Sequence, residues 1–289
     1  MVLNTHIPSK TRGRLAVFVL LLLVLVPVWM LLEPHTLFVV NNTVSSPDVP
    51  AAFDGTRIVF LADIHAGPNF SAARVKRVID RVMSLKPDLI VLGGDYVGGG
   101  TDGASLFYPQ AGRLKAPLGV FAVLGNHDAW EGTAEARVGL AADHIRLLDN
   151  TSTVVARGAA SIRLAGVEDW GTGNPDVAEA GAGVTARDFA VLVSHNPDTL
   201  AQQLPESPGL FDLAFAAHTH GGQVTLFGLT APLVPSLYGN RYRTGWHDIA
   251  GTPTLVTDGI GTVGLPLRFF APPQIHVITL RRAPAASVR

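Results

Sequence analysis

The sequence predicts an α/β fold, with two packed sheets and helices on their outer faces, behind one N-terminal membrane-spanning helix. Three observations predict it. Short, fully apolar runs alternate with amphipathic helical and turn-rich stretches, as buried strands do when both faces of a sheet are covered. Hairpin-like segments in the second half add strands beyond those of one parallel sheet. Residues 15–32 form an unbroken apolar run, close to the ~20 residues that cross a hydrocarbon core.

The elements follow in order. Residues 1–14 form a basic segment in which Lys10, Arg12 and Arg14 sit just before the apolar run, and no Lys or Arg follows until Arg57. The positive-inside rule then puts the N-terminus in the cytoplasm and the remainder outside. A cleavable signal peptide is the alternative. It is disfavoured because the run exceeds the ~7–15 residues of a signal core and no small-x-small site follows directly. Residues 33–56, rich in Asn, Ser, Pro and Asp, read as a tether.

Residues 57–280 form the catalytic domain. The run 58–62 reads as a strand ending at Asp63, after which Ser71 caps a helix with Val75, Val78, Ile79, Val82 and Met83 on one stripe. Runs 89–92, 120–124, 189–193 and 213–217 read as strands ending at Asp95, Asn126, His195 and His218. Segments 153–156 and 161–167 flank an Arg157-Gly158 turn, and 224–227, 254–256 and 275–280 read as further strands. Residues 281–289 read as a frayed tail.

Composition excludes several classes. The chain of 289 residues has net charge -1, too little for a general nucleic-acid-binding field. It contains no cysteine, which rules out disulfides, thiolate metal sites and cysteine nucleophiles. Charged residues are only 16 % and mean hydropathy is +0.30, which agrees with a membrane segment.

Metal-binding side chains recur at the strand ends. Asp63-Ile64-His65, Gly94-Asp95, Gly125-Asn126-His127-Asp128, Ser194-His195-Asn196 and His218-Thr219-His220 each follow an apolar run. In open α/β sheets, ligands bind beyond the carboxyl ends of strands. Each motif alone is weak, since a strand-end Asp usually caps a turn and a single His is usually structural. Five motifs at five such ends predict convergence on a two-metal site. The set offers two carboxylates, one amide and four imidazoles, with His127 to spare. Oxygen and nitrogen donors of this kind suit Mn, Fe or Zn.

The order D-x-H, G-D, G-N-H-D, H, H-x-H resembles the signature of calcineurin-like metallophosphoesterases, over about residues 57–280. It is most similar to their membrane-attached bacterial branch, which shares Ser194-His195-Asn196-Pro197-Asp198, the run 218–223, Gly259-Ile260-Gly261-Thr262 and Pro266-Leu267-Arg268-Phe269. The resemblance implies a four-layer α/β/β/α sandwich of two mixed sheets. It also implies that Asp63, His65 and His220 hold one divalent ion, that Asn126, His195 and His218 hold another, and that Asp95 bridges them. Hydroxide derived from a water shared by the ions would attack phosphorus, and His127 would act as general acid. Two departures stand out. Ala217 replaces the usual Gly before His218, and Gly98 replaces the second Asp of protein phosphatases, which argues against their specificity and leaves His127 without its usual partner.

For the substrate, the anchor points to a lipid-linked phosphate ester or pyrophosphate. The family includes enzymes that cleave UDP-2,3-diacylglucosamine; an exported phospholipid or undecaprenyl-type phosphoester fits the expected topology better. Arg241, Tyr242 and Arg243 are candidate substrate-binding residues, because arginines bind phosphate bidentately. The rival reading is a non-catalytic metal-binding interaction protein that kept the fold. The complete ligand set argues against it.

Overall fold

The computed structural model describes residues 9–100 and 102–284. Helix α1 (Ser9–Leu32) carries the apolar run with its large side chains exposed all round, among them Leu20, Leu23 and Leu25. Among the described residues it is the one helix long and apolar enough to cross a membrane. Then come β1 (Phe38–Ser46), β2 (Arg57–Leu61), α2 (Ala72–Ser84), β3 (Leu89–Leu92), α3 (Gly103–Ala111), β4 (Val120–Ala122), α4 (Asn126–Ala142) and β5 (Arg146–Leu147). The second half holds β6 (Thr151–Arg157), β7 (Ala160–Gly166), α5 (Val177–Ala180), β8 (Ala190–Val193), α6 (Pro197–Gln203), β9 (Leu213–Ala216), β10 (Gly245–Ile249), β11 (Thr252–Val256) and β12 (Gln274–Arg282).

Two six-stranded mixed sheets result, ordered β1-β12-β2-β3-β4-β5 and β10-β11-β9-β8-β7-β6. The two-residue period of a strand explains why the central runs are apolar throughout. Val59, Leu61, Ile90 and Leu92 face outward onto the α2 stripe Val75, Val78, Ile79 and Val82. Their neighbours Ile58, Phe60, Leu89 and Val91 face inward and meet Val191, Val193, Leu213 and Phe215 of the other sheet. Phe60 and Phe215 stack there with centroids 4.9 Å apart. Ala190, Leu192, Ala214 and Ala216 face the opposite outer layer, where Leu200 and Tyr242 pack. Helix, sheet, sheet and outer layer are thus held by three apolar interfaces.

Three expectations are corrected. Residues 33–56 are not a tether. Within them β1 runs parallel to β12 over nine residue pairs, Phe38↔Gln274 to Ser46↔Arg282, as the edge of the first sheet. Its Asn and Ser residues resemble a turn in composition, but backbone pairing with β12 holds them extended. Residues 224–227 are no strand; only isolated bridges, Val224↔Phe269 and Leu226↔Thr230, form there. The tail is ordered at its start, since β12 runs to Arg282 and Ala283 N–H donates to Ser46 O. Residues 285–289 of that tail, and residues 1–8 of the basic segment, lie outside the described residues.

Candidate metal centre

The central strands deliver the motif residues to one edge. Asp63 and His65 follow β2, Asp95 follows β3, Asn126 follows β4, His195 follows β8, and His218 and His220 follow β9. Because the two sheets face each other, the two sets of loops meet. The turns are tight: Asp63, His65, Asp95, His218 and His220 all have left-handed backbone, with φ of 53°, 49°, 55°, 69° and 53°. Such residues are uncommon outside glycine, and conformations of this kind persist where the surroundings over-determine them. Here backbone bonds between the first two loops do so: Asp63 N–H donates to Gly94 O at 2.9 Å and His65 N–H to Asp95 O at 3.0 Å.

Asp128 adds a second restraint, to which the sequence analysis attached no role. Its buried carboxylate accepts from the backbone N–H of Asp95 (2.7 Å), Tyr96 (2.9 Å) and Gly125 (2.9 Å). One side chain thereby fixes the Asp95 loop to the Asn126 loop. It belongs to the Gly-Asn-His-Asp quartet and sits at the third position of α4, where acidic residues accept from orphan N–H groups. That position was the available signal. Arg268 is the other residue missed. It is fully buried and donates to the carbonyls of Gly261, Asp258, Ala271 and His220, so it holds the His220 backbone.

The donor atoms converge in two groups that share Asp95: Asp63, His65, Asp95 and His220 in one, and Asp95, His195 and His218 in the other, with the donor atoms of each group within 4.8 Å of one another. Asp95 Oδ2 lies 3.5 Å from His65 Nε2 and 3.3 Å from His195 Nε2. His65 Nε2 and His220 Nε2 are 3.0 Å apart, and His195 Nε2 and His218 Nδ1 are 3.2 Å apart. His195 Nδ1 donates to Gly93 O at 2.7 Å, which turns its Nε2 inward toward Asp95 and His218. Asn126 Oδ1 is buried with no hydrogen-bond partner. A buried acceptor left unsatisfied costs about 1–3 kcal/mol, so this orphan oxygen, lining the same cleft as Asp95, His218 and His220, fits a hard or borderline divalent cation.

Electrostatics match that fit at three of the four imidazoles; at His195 burial is outweighed by the Asp95 carboxylate and then Asp63, which raise it well above its usual value. Burial lowers His65 to about 3 and His218 to about 4, and pushes His220 well below its usual value. These imidazoles are neutral at pH 7, as a metal ligand must be. Burial raises Asp63 to about 7, an effect that the neighbouring Asp95 charge reinforces and His195 opposes. Asp95 is the group held anionic: burial works against it, but His195 and then His65 keep it well below the ordinary carboxylate range.

His127 is half-buried and bonds through its backbone N–H to Asp95 Oδ1 at 2.8 Å. Its ring meets those of His65 at 4.6 Å and Trp130 at 4.8 Å. A Cβ on Gly98 would come within 2.6 Å of His65 Nδ1 and would touch His127 Nδ1 at 3.4 Å, so a side chain there would force the His65 ring to shift. A cleft of 410 Å3 opens over Asp95, Asn126, His127, His218 and His220, with Leu233 and Val263 on its far wall.

The three substrate-binding candidates are not on that cleft. Arg243 is buried and its guanidinium donates to Gly221 O and Gly228 O, which consumes it structurally. Tyr242 is buried in the outer apolar layer, and the exposed Arg241 lies over its ring at 5.1 Å.

Comparison with known proteins agrees with this geometry. A family model described as calcineurin-like phosphoesterase matches residues 56–222. "Uncharacterized metallophosphoesterase YkuE" of Bacillus subtilis is 33% identical over 258 residues, covering 86% of this chain and 87% of that protein. "Phosphodiesterase YaeI" of Escherichia coli is 29% identical, covering 78% of this chain and 82% of its own. The Danio rerio "Transmembrane protein with metallophosphoesterase domain" is 29% identical over 85% of this chain, which spans 57% of that protein's length.

Proposed function

The chain belongs to the calcineurin-like phosphoesterase family and is a metal-dependent phosphoric ester hydrolase, and from that premise we propose that it is anchored in a membrane by α1 and hydrolyses a lipid-linked phosphate ester or pyrophosphate. In this reading Asp63, His65 and His220 hold one divalent ion, Asn126, His195 and His218 hold a second, and Asp95 is shared. The observation that carries it is the position of Asp95 between two donor groups, beside the unpartnered Asn126 oxygen. Bound divalent cations supply Lewis-acid polarisation of a phosphoryl oxygen and acidify water.

The protein's own groups do the rest. Asp95 stays anionic between the two imidazole sets, and Asp128 keeps its loop in register with Asn126. His127 lines the cleft free of both donor groups, so it can give a proton to the departing oxygen. In this reading the N-terminus is cytoplasmic and the catalytic domain lies on the other side of the membrane, which Lys10, Arg12 and Arg14 just before the apolar run support.

The test is hydrolysis of bis(p-nitrophenyl) phosphate by the full chain in detergent with added Mn. Asp95→Asn should lose about 10²–10³-fold, the scale of a lost transition-state charge contact. Wild-type turnover in that variant refutes the shared-carboxylate site.

A further inference from the structure

Outside α1, many of the exposed large apolar side chains gather on two loops, 226–237 and 263–270. Leu229 is 83% exposed, Leu233 78%, Leu265 68% and Phe227 64%. The loops form one unit: Gln223 Nε2 donates to Val263 O and Leu265 O, its Oε1 accepts from Val263 N–H, and its carbonyl accepts from Phe269 N–H. That unit is fixed to the end of α1. Arg268 N–H donates to Met30 O at 3.0 Å, and the buried Glu33 carboxylate accepts from Phe270 and Ala271 N–H at 3.0 and 2.8 Å. A 500 Å3 groove joins Leu25 and Trp29 of the helix to Phe227 and Phe270 of the loops, so the helix's apolar surface continues onto them.

The opposite flank of the helix end is basic. Arg74, Arg77 and Arg81 share one face of α2 and line a groove with Pro34 and His35; Arg77 and Arg81 are exposed, and Arg74 donates to Pro34 O at 2.6 Å. A soluble surface rarely exposes a contiguous apolar patch of more than a few hundred Å2. Apolar side chains and arginines grouped around the end of one apolar helix are what a bilayer interface takes, the former among the acyl chains and the latter against anionic headgroups.

We infer that loops 226–237 and 263–270 form a lip inserted into the bilayer surface, with the α2 arginines on phospholipid headgroups. The inference rests on α1 being the membrane anchor. Leu233 and Val263 belong to the lip and also line the cleft over His218 and His220. Gln223, which ties the loops together, is three residues from His220, at most about 11 Å of chain. The cleft therefore opens at headgroup depth, and an amphiphilic phosphoester can present its phosphate to the metal centre while its acyl chains stay in the membrane.

The chain has no cysteine, so single labels are unambiguous. An environment-sensitive fluorophore is placed on Leu229→Cys, on Leu265→Cys, on Val19→Cys within α1, and on Arg187→Cys at the opposite end of the second sheet. The full chain is reconstituted in phosphatidylglycerol/phosphatidylethanolamine vesicles containing lipids with shallow or deep nitroxide quenchers. The proposal expects Val19 to be quenched most by deep nitroxides. Leu229 and Leu265 should be quenched most by shallow ones, several times more than Arg187. If Val19 is quenched while both lip probes behave like Arg187, the lip is refuted and the anchor stands. If Val19 is unquenched as well, the anchor reading fails and the lip falls with it.

Discussion

Replacing Asp128 with alanine should be among the most damaging single changes outside the proposed ligands. Its carboxylate is the acceptor for three well-formed backbone N–H bonds, from Asp95, Tyr96 and Gly125, at 2.7, 2.9 and 2.9 Å, all inside the protein. Each buried donor left without a partner costs about 1–3 kcal/mol. The carboxylate is itself uncomfortable: burial, and then the Asp95 charge, raise it to about 7. Removing it returns part of that cost. A net loss of about 3–5 kcal/mol follows, against a total stability of about 5–15 kcal/mol for a domain. Asp128→Asn should rescue only part of the loss. Its amide oxygen can keep the Asp95 and Gly125 bonds, but its NH2 then faces the Tyr96 N–H and the charge is lost. Urea unfolding of the purified chain in detergent, with bound metal measured in parallel, reads both effects. Asp128→Ala within 1 kcal/mol of wild type and still loaded with metal would refute the clamp.

Three further outcomes are expected. Chelation by EDTA should abolish hydrolysis and lower the melting temperature, and Mn should restore both; saturation at 100 times Kd is worth about 2.7 kcal/mol. His127→Ala should slow an alkyl phosphodiester by about 10²–10⁴-fold, the usual contribution of a general acid, and a p-nitrophenyl ester far less, because that leaving group needs no proton; equal losses on both would remove His127 from the proton-transfer role. His276 on β12 is buried and its pKa is lowered to about 4, so the unfolded chain takes up the proton first as pH falls. Stability should be complete above pH 6.5 and decline by about 3 kcal/mol as pH drops toward 4. His276→Leu should make that part of the pH–stability curve shallower, with His65 and His218 supplying the slope that remains, and an unchanged slope would show that the group is not responsible.

What could be read from sequence was whatever leaves a one-dimensional trace. Runs such as 89–92 are apolar on both faces because each face of the strand has its own neighbours, and the ligand types stand out at the ends of those runs. β1 left no such trace: an edge strand buries little, and its Asn and Ser residues look like a turn until β12 lies beside them. α4 was hidden for a related reason, since Gly132 breaks its regularity with φ of 141°. Asp128 and Arg268 act on backbone groups, which carry no sequence label. Tyr242 and Arg243 were misread because a loop of arginine and tyrosine looks the same whether it awaits a phosphate or packs and satisfies carbonyls; burial tells these apart, and the exposed Arg241 lies off the cleft.

The incorporation of residues 38–46 into the first sheet has a mechanical consequence. Only Thr36 and Leu37 lie between the short turn Glu33–His35 and β1, and the turn is itself bonded to the 270–271 backbone. No slack remains to act as a swivel. In the membrane-anchored reading, a tilt that a thicker or thinner bilayer gives α1 would pass directly to the domain that carries the cleft.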